Sequence, residues 1–317
     1  MASPTMVTYQ QLTRDPDSRA LFNNRITTIN DLYRVIVSGK STFIALDTEH
    51  VPVRNENNRI LHQVGLTCLP AASTAIMPST SISDRPRLSE FYDEYQLQTL
   101  TLNIELSDQL QEDMICYRGN VPTRRLSRFG HEREINLDNL ESAIVEFIQS
   151  CGNSHPDTHF VLMGFEMAAE WNYLSKNFPR AMPYFSSWMD LRDIGKDITS
   201  AKVLPGRVSI LETFGYHWKD ITGSSRKGSA DNAGDDTVSI LAMAKAFLYT
   251  ENQDKLRNRI ARQKREKAAS LSLHKIALLQ AISTTEVKEK QRLREFKKTQ
   301  SLASDVDGLG ETFIEAC

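Results

Sequence analysis

Phe43-Ile44-Ala45-Leu46-Asp47-Thr48-Glu49 is a short apolar run that ends on two carboxylates spaced i and i+2. An apolar run of this length between polar residues reads as a buried strand. Side chains at i and i+2 leave a strand on the same face, so Asp47 and Glu49 point one way. Two carboxylates held side by side repel each other unless a cation sits between them, and oxygen-only donors suit a hard metal ion. Asp-x-Glu also occurs at solvated strand ends that do no chemistry, so its meaning depends on what the rest of the chain brings to it.

A turn at 54–58 leads to a second predicted strand at 60–69, stopped by Pro70, and the Ser-, Pro- and Thr-rich stretch 70–90 reads as a loop. Leu100, Leu102, Ile104 and Leu106 then alternate with Thr101, Asn103 and Glu105, the period of a half-buried third strand. These three strands form an antiparallel meander. The period then changes. Leu137, Leu140, Ala143, Ile144, Phe147, Ile148 and Cys151 recur at steps of three and four, which predicts an amphipathic helix ended by Gly152. A fourth strand at 159–165, a helix at 167–178 closed by Pro179, a short fifth strand at 188–191 and a short helix at 208–214 follow. Ile240, Met243, Ala244, Phe247 and Leu248 make the apolar face of a further helix, reached through the Gly-, Ser-, Asn- and Asp-rich stretch 223–236. Three antiparallel strands followed by alternating helix and strand predict an α/β fold with a mixed five-stranded sheet and flanking helices.

At 317 residues and 40% hydrophobic content, the chain can bury a full core. It has no apolar run near the roughly 18 residues of a membrane span, and residues 1–19 lack the apolar stretch of a signal peptide. The expectation is a soluble intracellular protein, cytoplasmic or nuclear, with no membrane partner. Cys68, Cys116, Cys151 and Cys317 are far apart and form no Cys-x-x-Cys pair, which favours reduced thiols over a zinc site.

The net charge of −2 is unevenly spread. Residues 251–300 hold 14 Lys or Arg against 6 Asp or Glu, and residues 301–317 hold four acids and no base, which leaves residues 1–250 at −6. This composition shift predicts three parts: a flexible segment 1–28, a folded domain 29–250, and a basic helical extension with an acidic tail at 251–317. The extension keeps no heptad, so it is either a solvated helix or an arm that holds phosphate backbones. A nuclear-localisation role for residues 262–267 is a further reading.

Two later acids fall where strand ends meet helix starts, the usual place for a site in such a sheet. Glu170 lies in the first turn of the helix after the fourth strand, and Asp236 precedes Ile240 by four residues on the inward face of its helix. Asp47, Glu49, Glu170 and Asp236 are therefore expected to converge. In order, spacing and secondary structure, residues 41–250 resemble the DEDD-type 3′-5′ exonucleases of the ribonuclease H-like superfamily. Asp231-Asn232-Ala233-Gly234-Asp235-Asp236 is similar to the third motif of a fungal branch, His-Asn-Ala-Gly-Asn-Asp, and Ser127-Arg128-Phe129-Gly130-His131 is similar to that branch as well.

The resemblance implies a ribonuclease H-like fold and two Mg²⁺ or Mn²⁺ ions held by Asp47, Glu49, Glu170 and Asp236, which hydrolyse phosphodiesters of single-stranded RNA or DNA. Two positions depart from the family. Glu170 stands where the family has Asp, and Asp231 stands where it has the His that takes the proton from the attacking water. An Asp of ordinary pKa is a weak base at pH 7. His50, next to Glu49, is the nearest substitute in sequence, with His217 behind it. The resemblance thus implies a nucleic-acid-binding protein with impaired hydrolysis, or a non-catalytic scaffold that kept the fold for protein contacts.

Overall fold

A computed structural model of the chain describes residues 16–55, 59–79, 85–152, 159–223 and 232–307. The chain divides into two compact units, Met1–Ile260 and Ala261–Cys317. The first holds a seven-stranded sheet: β1 (Arg25–Ile26), β2 (Ser41–Pro52), β3 (Arg59–Leu69), β4 (Gln98–Ile104), β5 (His131–Ile135), β6 (His159–Gly164) and β7 (Phe185–Asp190), in the spatial order β1-β7-β6-β2-β3-β4-β5. β2, β3 and β4 form the expected antiparallel meander, and β6 and β7 run parallel to β2. The sheet is therefore mixed, as expected.

Seven strands replace the five expected, because a short strand is added at each edge. β1 pairs only Arg25 and Ile26 with β7, and β5 buries only Ile135, so neither carries an apolar period that sequence would reveal. The helices are α1 (Pro16–Asn23), α2 (Ile29–Val37), α3 (Ala71–Ile76), α4 (Leu88–Glu94), α5 (Asp108–Arg118), α6 (Leu137–Gly152), α7 (Ala168–Lys176), α8 (Leu191–Thr199), α9 (Arg207–Thr213), α10 (Trp218–Thr222), α11 (Ala233–Phe247) and α12 (Thr250–Asp307). The stretch 70–90, expected as a loop, contains α3 and the start of α4. The acidic and polar residues of α4 hide Leu88 and Phe91, which are buried in the core.

Within the segment expected to be flexible, α1 buries Leu21 and Phe22, and β1 joins the sheet. The Trp188 indole donates to the Phe22 carbonyl at 3.0 Å, and its ring stands edge-on to Trp171 at 4.9 Å. At the other end, the unit runs past the composition shift at 250 to Ile260, because Leu256 and Ile260 are buried in the same core as α11. In the second unit the helix carries Arg262, Lys264, Arg265 and Lys267, all exposed. At 100° per residue they spread around the circumference, which leaves no apolar stripe there. Among the described residues no helix is long and apolar enough to cross a membrane.

The alternation of β2 divides the core in two. Phe43 and Ala45 pack on one face with Ile194, Val238 and Ile240, whereas Ile44 and Leu46 pack on the other with Ile144, Trp171 and Leu174. α8 and α11 therefore cover one face of the sheet, and α6 and α7 the other.

Candidate metal site

The odd-numbered face of β2 continues past Phe43 and Ala45 to Asp47 and Glu49, so both carboxylates emerge under α11. Asp47, Glu49 and Asp236 each offer an oxygen, and these oxygens all lie within 4.8 Å of one another. Asp236 reaches this position because the start of α11 rests directly on the sheet. Gly65 is the β3 partner of Asp47, and a Cβ on it would lie 2.1 Å from the Ala233 carbonyl oxygen. A Cβ on Gly234 would lie 1.9 Å from the Thr101 hydroxyl on β4. With no side chain at either glycine, the helix backbone meets the strand backbone at Gly65 and the Thr101 hydroxyl at Gly234, and one turn later Asp236 faces Asp47. The Thr67 hydroxyl lies 2.6 Å from that of Thr237 and 2.8 Å from that of Thr99, which pins the next turn to the same two strands.

A closed ring of polar contacts fixes this end of the helix. The Ala233 N–H donates to Gln63 Oε1 at 2.7 Å, Gln63 Nε2 to Asn103 Oδ1 at 2.7 Å, and Asn103 Nδ2 to Glu132 Oε1 at 2.6 Å. Glu132 Oε2 accepts from the Ser127 N–H at 3.1 Å. The ring returns to α11 through Asp235, which is wholly buried and accepts from the Arg128 N–H at 2.9 Å, from Arg128 Nε at 2.7 Å and from Arg125 Nη1. Asn232 caps the helix by accepting from the Asp235 N–H at 3.1 Å, and its own amide donates to the Arg125 carbonyl at 2.8 Å. A buried carboxylate needs such partners. Sequence reading quoted Asp235 only as a motif position, because its partners Arg125 and Arg128 lie more than 100 residues earlier in the chain.

Asp236 has a cationic partner of its own. Arg207, from α9, pairs its guanidinium with the Asp236 carboxylate and bonds the Ser239 hydroxyl from the same group.

Glu170 lies outside the three-carboxylate cluster. It belongs to α7, on the opposite face of the sheet, and meets β2 at an even-numbered position: the Thr48 hydroxyl donates to Glu170 Oε1 at 3.0 Å. Its Oε2 is buried without a hydrogen-bond partner. Burial first, and then the negative charge of Asp47, push the Glu170 carboxyl up to about 8. A further acid that sequence reading took only as part of a strand, Asp190 at the end of β7, accepts from the N–H groups of Glu166 at 3.0 Å, Met167 at 3.2 Å and Arg192 at 2.9 Å. It thereby holds the turn before α7, where Glu166 adopts a positive φ of 64°.

His50 stacks on Tyr173 with ring centroids 4.9 Å apart, and burial, helped by Arg59, lowers its pKa to about 4. At neutral pH it is an uncharged packing group next to α7. His217 caps α10 by accepting from the Lys219 N–H at 3.2 Å. Asp231 lies outside the described residues.

Three oxygen donors of carboxylate type, with Asp236 buried, suit a hard divalent ion such as Mg²⁺ or Mn²⁺. No protein-family model matches the chain. No curated protein matches it. Among solved structures, the chain is similar to the X-ray structure of the RNase domain of the yeast Pop2 protein, with a TM-score of 0.37 and 13% identity, covering 70% of this chain and 84% of that chain.

The state of Glu170 has a consequence for stability. Its folded pKa is raised, so the native state binds this proton more tightly than the unfolded chain does. The resulting stabilisation is full below the ordinary carboxylate value and is lost as pH rises toward about 8. Glu170→Gln is expected to flatten the fall in unfolding free energy over that window and to gain on the natural protein at its alkaline end. Urea unfolding at a series of pH values checks this; identical slopes for the two proteins would refute it.

Proposed function

We propose that the protein binds single-stranded nucleic acid and holds Mg²⁺ or Mn²⁺ at Asp47, Glu49 and Asp236, with 3′-5′ exonuclease chemistry that is weak for want of a general base. The convergence of the three carboxylates within 4.8 Å supports this reading most directly. Such an ion, once bound, supplies a Lewis acid for the phosphate and lowers the pKa of its water. The chain's own part is to set the position and charge of the donors: β2 fixes Asp47 and Glu49 on one face, and the seat of α11 brings Asp236 to them. The basic segment 251–300 suits contact with phosphate backbones, whose repulsion by the negatively charged residues 1–250 it would offset.

The base is the missing part. At position 231 the family's imidazole is replaced by a carboxylate, and His50 is engaged with Tyr173. Glu170, tied to Thr48, favours the second reading, a scaffold that kept the fold for protein contacts without turnover.

Two measurements follow from the first reading. Saturating Mn²⁺ is expected to raise the melting temperature of the natural protein by binding the folded state, and to do so far less in Asp47→Ala. The absence of a shift, or an equal shift in both proteins, would exclude the site. In single-turnover hydrolysis of a 3′-labelled oligonucleotide with Mn²⁺, the natural protein is expected to be slow. Asp231→His is expected to raise the rate by up to about a hundredfold, the lower end of what a general base contributes. Fast natural hydrolysis that drops in the His variant would show that a base is already in place.

A further inference from the structure

We propose that Arg207 is the second cation of the acidic cluster, so that the site takes one divalent ion per chain instead of two; this rests on the metal reading above. Two independent placements lead there. The first is Glu170, the fourth acid implied for a two-ion site, whose carboxyl is bound to Thr48 on the other face of β2 and stands outside the cluster. Three carboxylates remain.

The second is the seating of Arg207. Its side chain is only 13% exposed and that of Asp236 only 5%, so the pair is held mostly out of water. One end of the guanidinium is paired with the Asp236 carboxylate, while Nη1 donates to the Ser239 hydroxyl and, at 3.4 Å, to the Asp236 carbonyl. The group is planar and stays protonated at any working pH, so its charge is permanent and its orientation is set from both ends. The helix that carries it is fixed too. Arg259 Nη1 donates to the Ser209 carbonyl at 2.8 Å and to the Thr213 hydroxyl at 2.7 Å, and its Nη2 donates to the Ser209 hydroxyl at 2.8 Å. Arg207 is therefore part of the built site.

Charge then sets the count. Three ionised carboxylates and one guanidinium leave a formal charge of −2, which a single divalent ion neutralises. A second ion would have to sit beside both the first ion and Arg207, without the fourth carboxylate to offset their repulsion. Arg207 acts through Asp236 as a positioning and charge-compensating residue.

Isothermal titration of Mn²⁺ into the full chain tests this, with Arg207→Met and Arg207→Lys alongside. The natural protein and Arg207→Lys, which keeps the charge, are expected to bind one ion per chain. Arg207→Met is expected to bind a second ion or to hold the first at least about tenfold more tightly, since a repelling charge is gone. Two ions per chain in the natural protein, or an Arg207→Met titration equal to it in number and affinity, would overturn the inference while leaving the metal reading intact. No binding by any of the three would overturn both. If Arg207→Met does not fold, the ion count of the natural protein decides alone: one upholds the inference and two overturns it.

Discussion

The close seating of α11 on the sheet, backbone on backbone at Gly65 and against the Thr101 hydroxyl at Gly234, is the constraint on which the rest of the site depends. Asp47 and Glu49 need only the alternation of one strand to lie side by side, but Asp236 comes from a helix nearly 190 residues later in the chain. A helix normally stands off a sheet by the depth of its side chains. Here the Ala233 carbonyl and the Gly234 nitrogen lie directly on Gly65, and Gly234 leaves room for the Thr101 hydroxyl. The ring of contacts through Gln63, Asn103, Glu132 and Asp235 then fixes the rotation of the helix about its axis. Both carboxylate oxygens of Glu132 and of Asp235, and both ends of the Gln63 and Asn103 amides, find partners in it, whereas Arg125 Nε and the Thr101 hydroxyl are buried without one.

The same alternation that assembles three carboxylates separates the fourth. Asp47 and Glu49 leave β2 toward α11; Thr48 leaves it toward α7 and takes Glu170 as its acceptor. Across the thickness of one strand, two electrostatic settings result. On one face three acids gather, with Asp236 paired to Arg207, in a place suited to a cation. On the other, the buried Glu170 carboxyl is pushed toward its neutral form, and the half-buried His50 is pushed toward its neutral form as well.

Much of this was legible in sequence where the period is strong. The i, i+2 carboxylates of β2, the meander, the long apolar helix Leu137–Gly152 and the face of Asp236 all follow from alternation or from steps of three and four. α8 was legible but unread, for Leu191, Ile194 and Ile198 keep helical spacing. The edge strands were not legible: two residues in β1, or a single buried one in β5, set no period. The destination of Glu170 was also out of reach, because a helix-start acid can meet a strand from either face, and only the packing of Trp171 and Leu174 into the α6 side decides which. Asp235 and Arg207 were missed for a related reason. A pair formed across 110 residues, such as Arg125 with Asp235, leaves no local pattern.

Gly65→Ala tests the central claim most directly, by placing one methyl group between α11 and the partner residue of Asp47. The Mn²⁺ affinity of this variant, measured by titration calorimetry beside its urea-unfolding free energy, is expected to fall by at least about tenfold, with a stability loss of about 1–3 kcal/mol from overpacking. An alanine variant that binds Mn²⁺ as tightly as the natural protein and unfolds at the same urea concentration would show that the seat of the helix does not assemble the site.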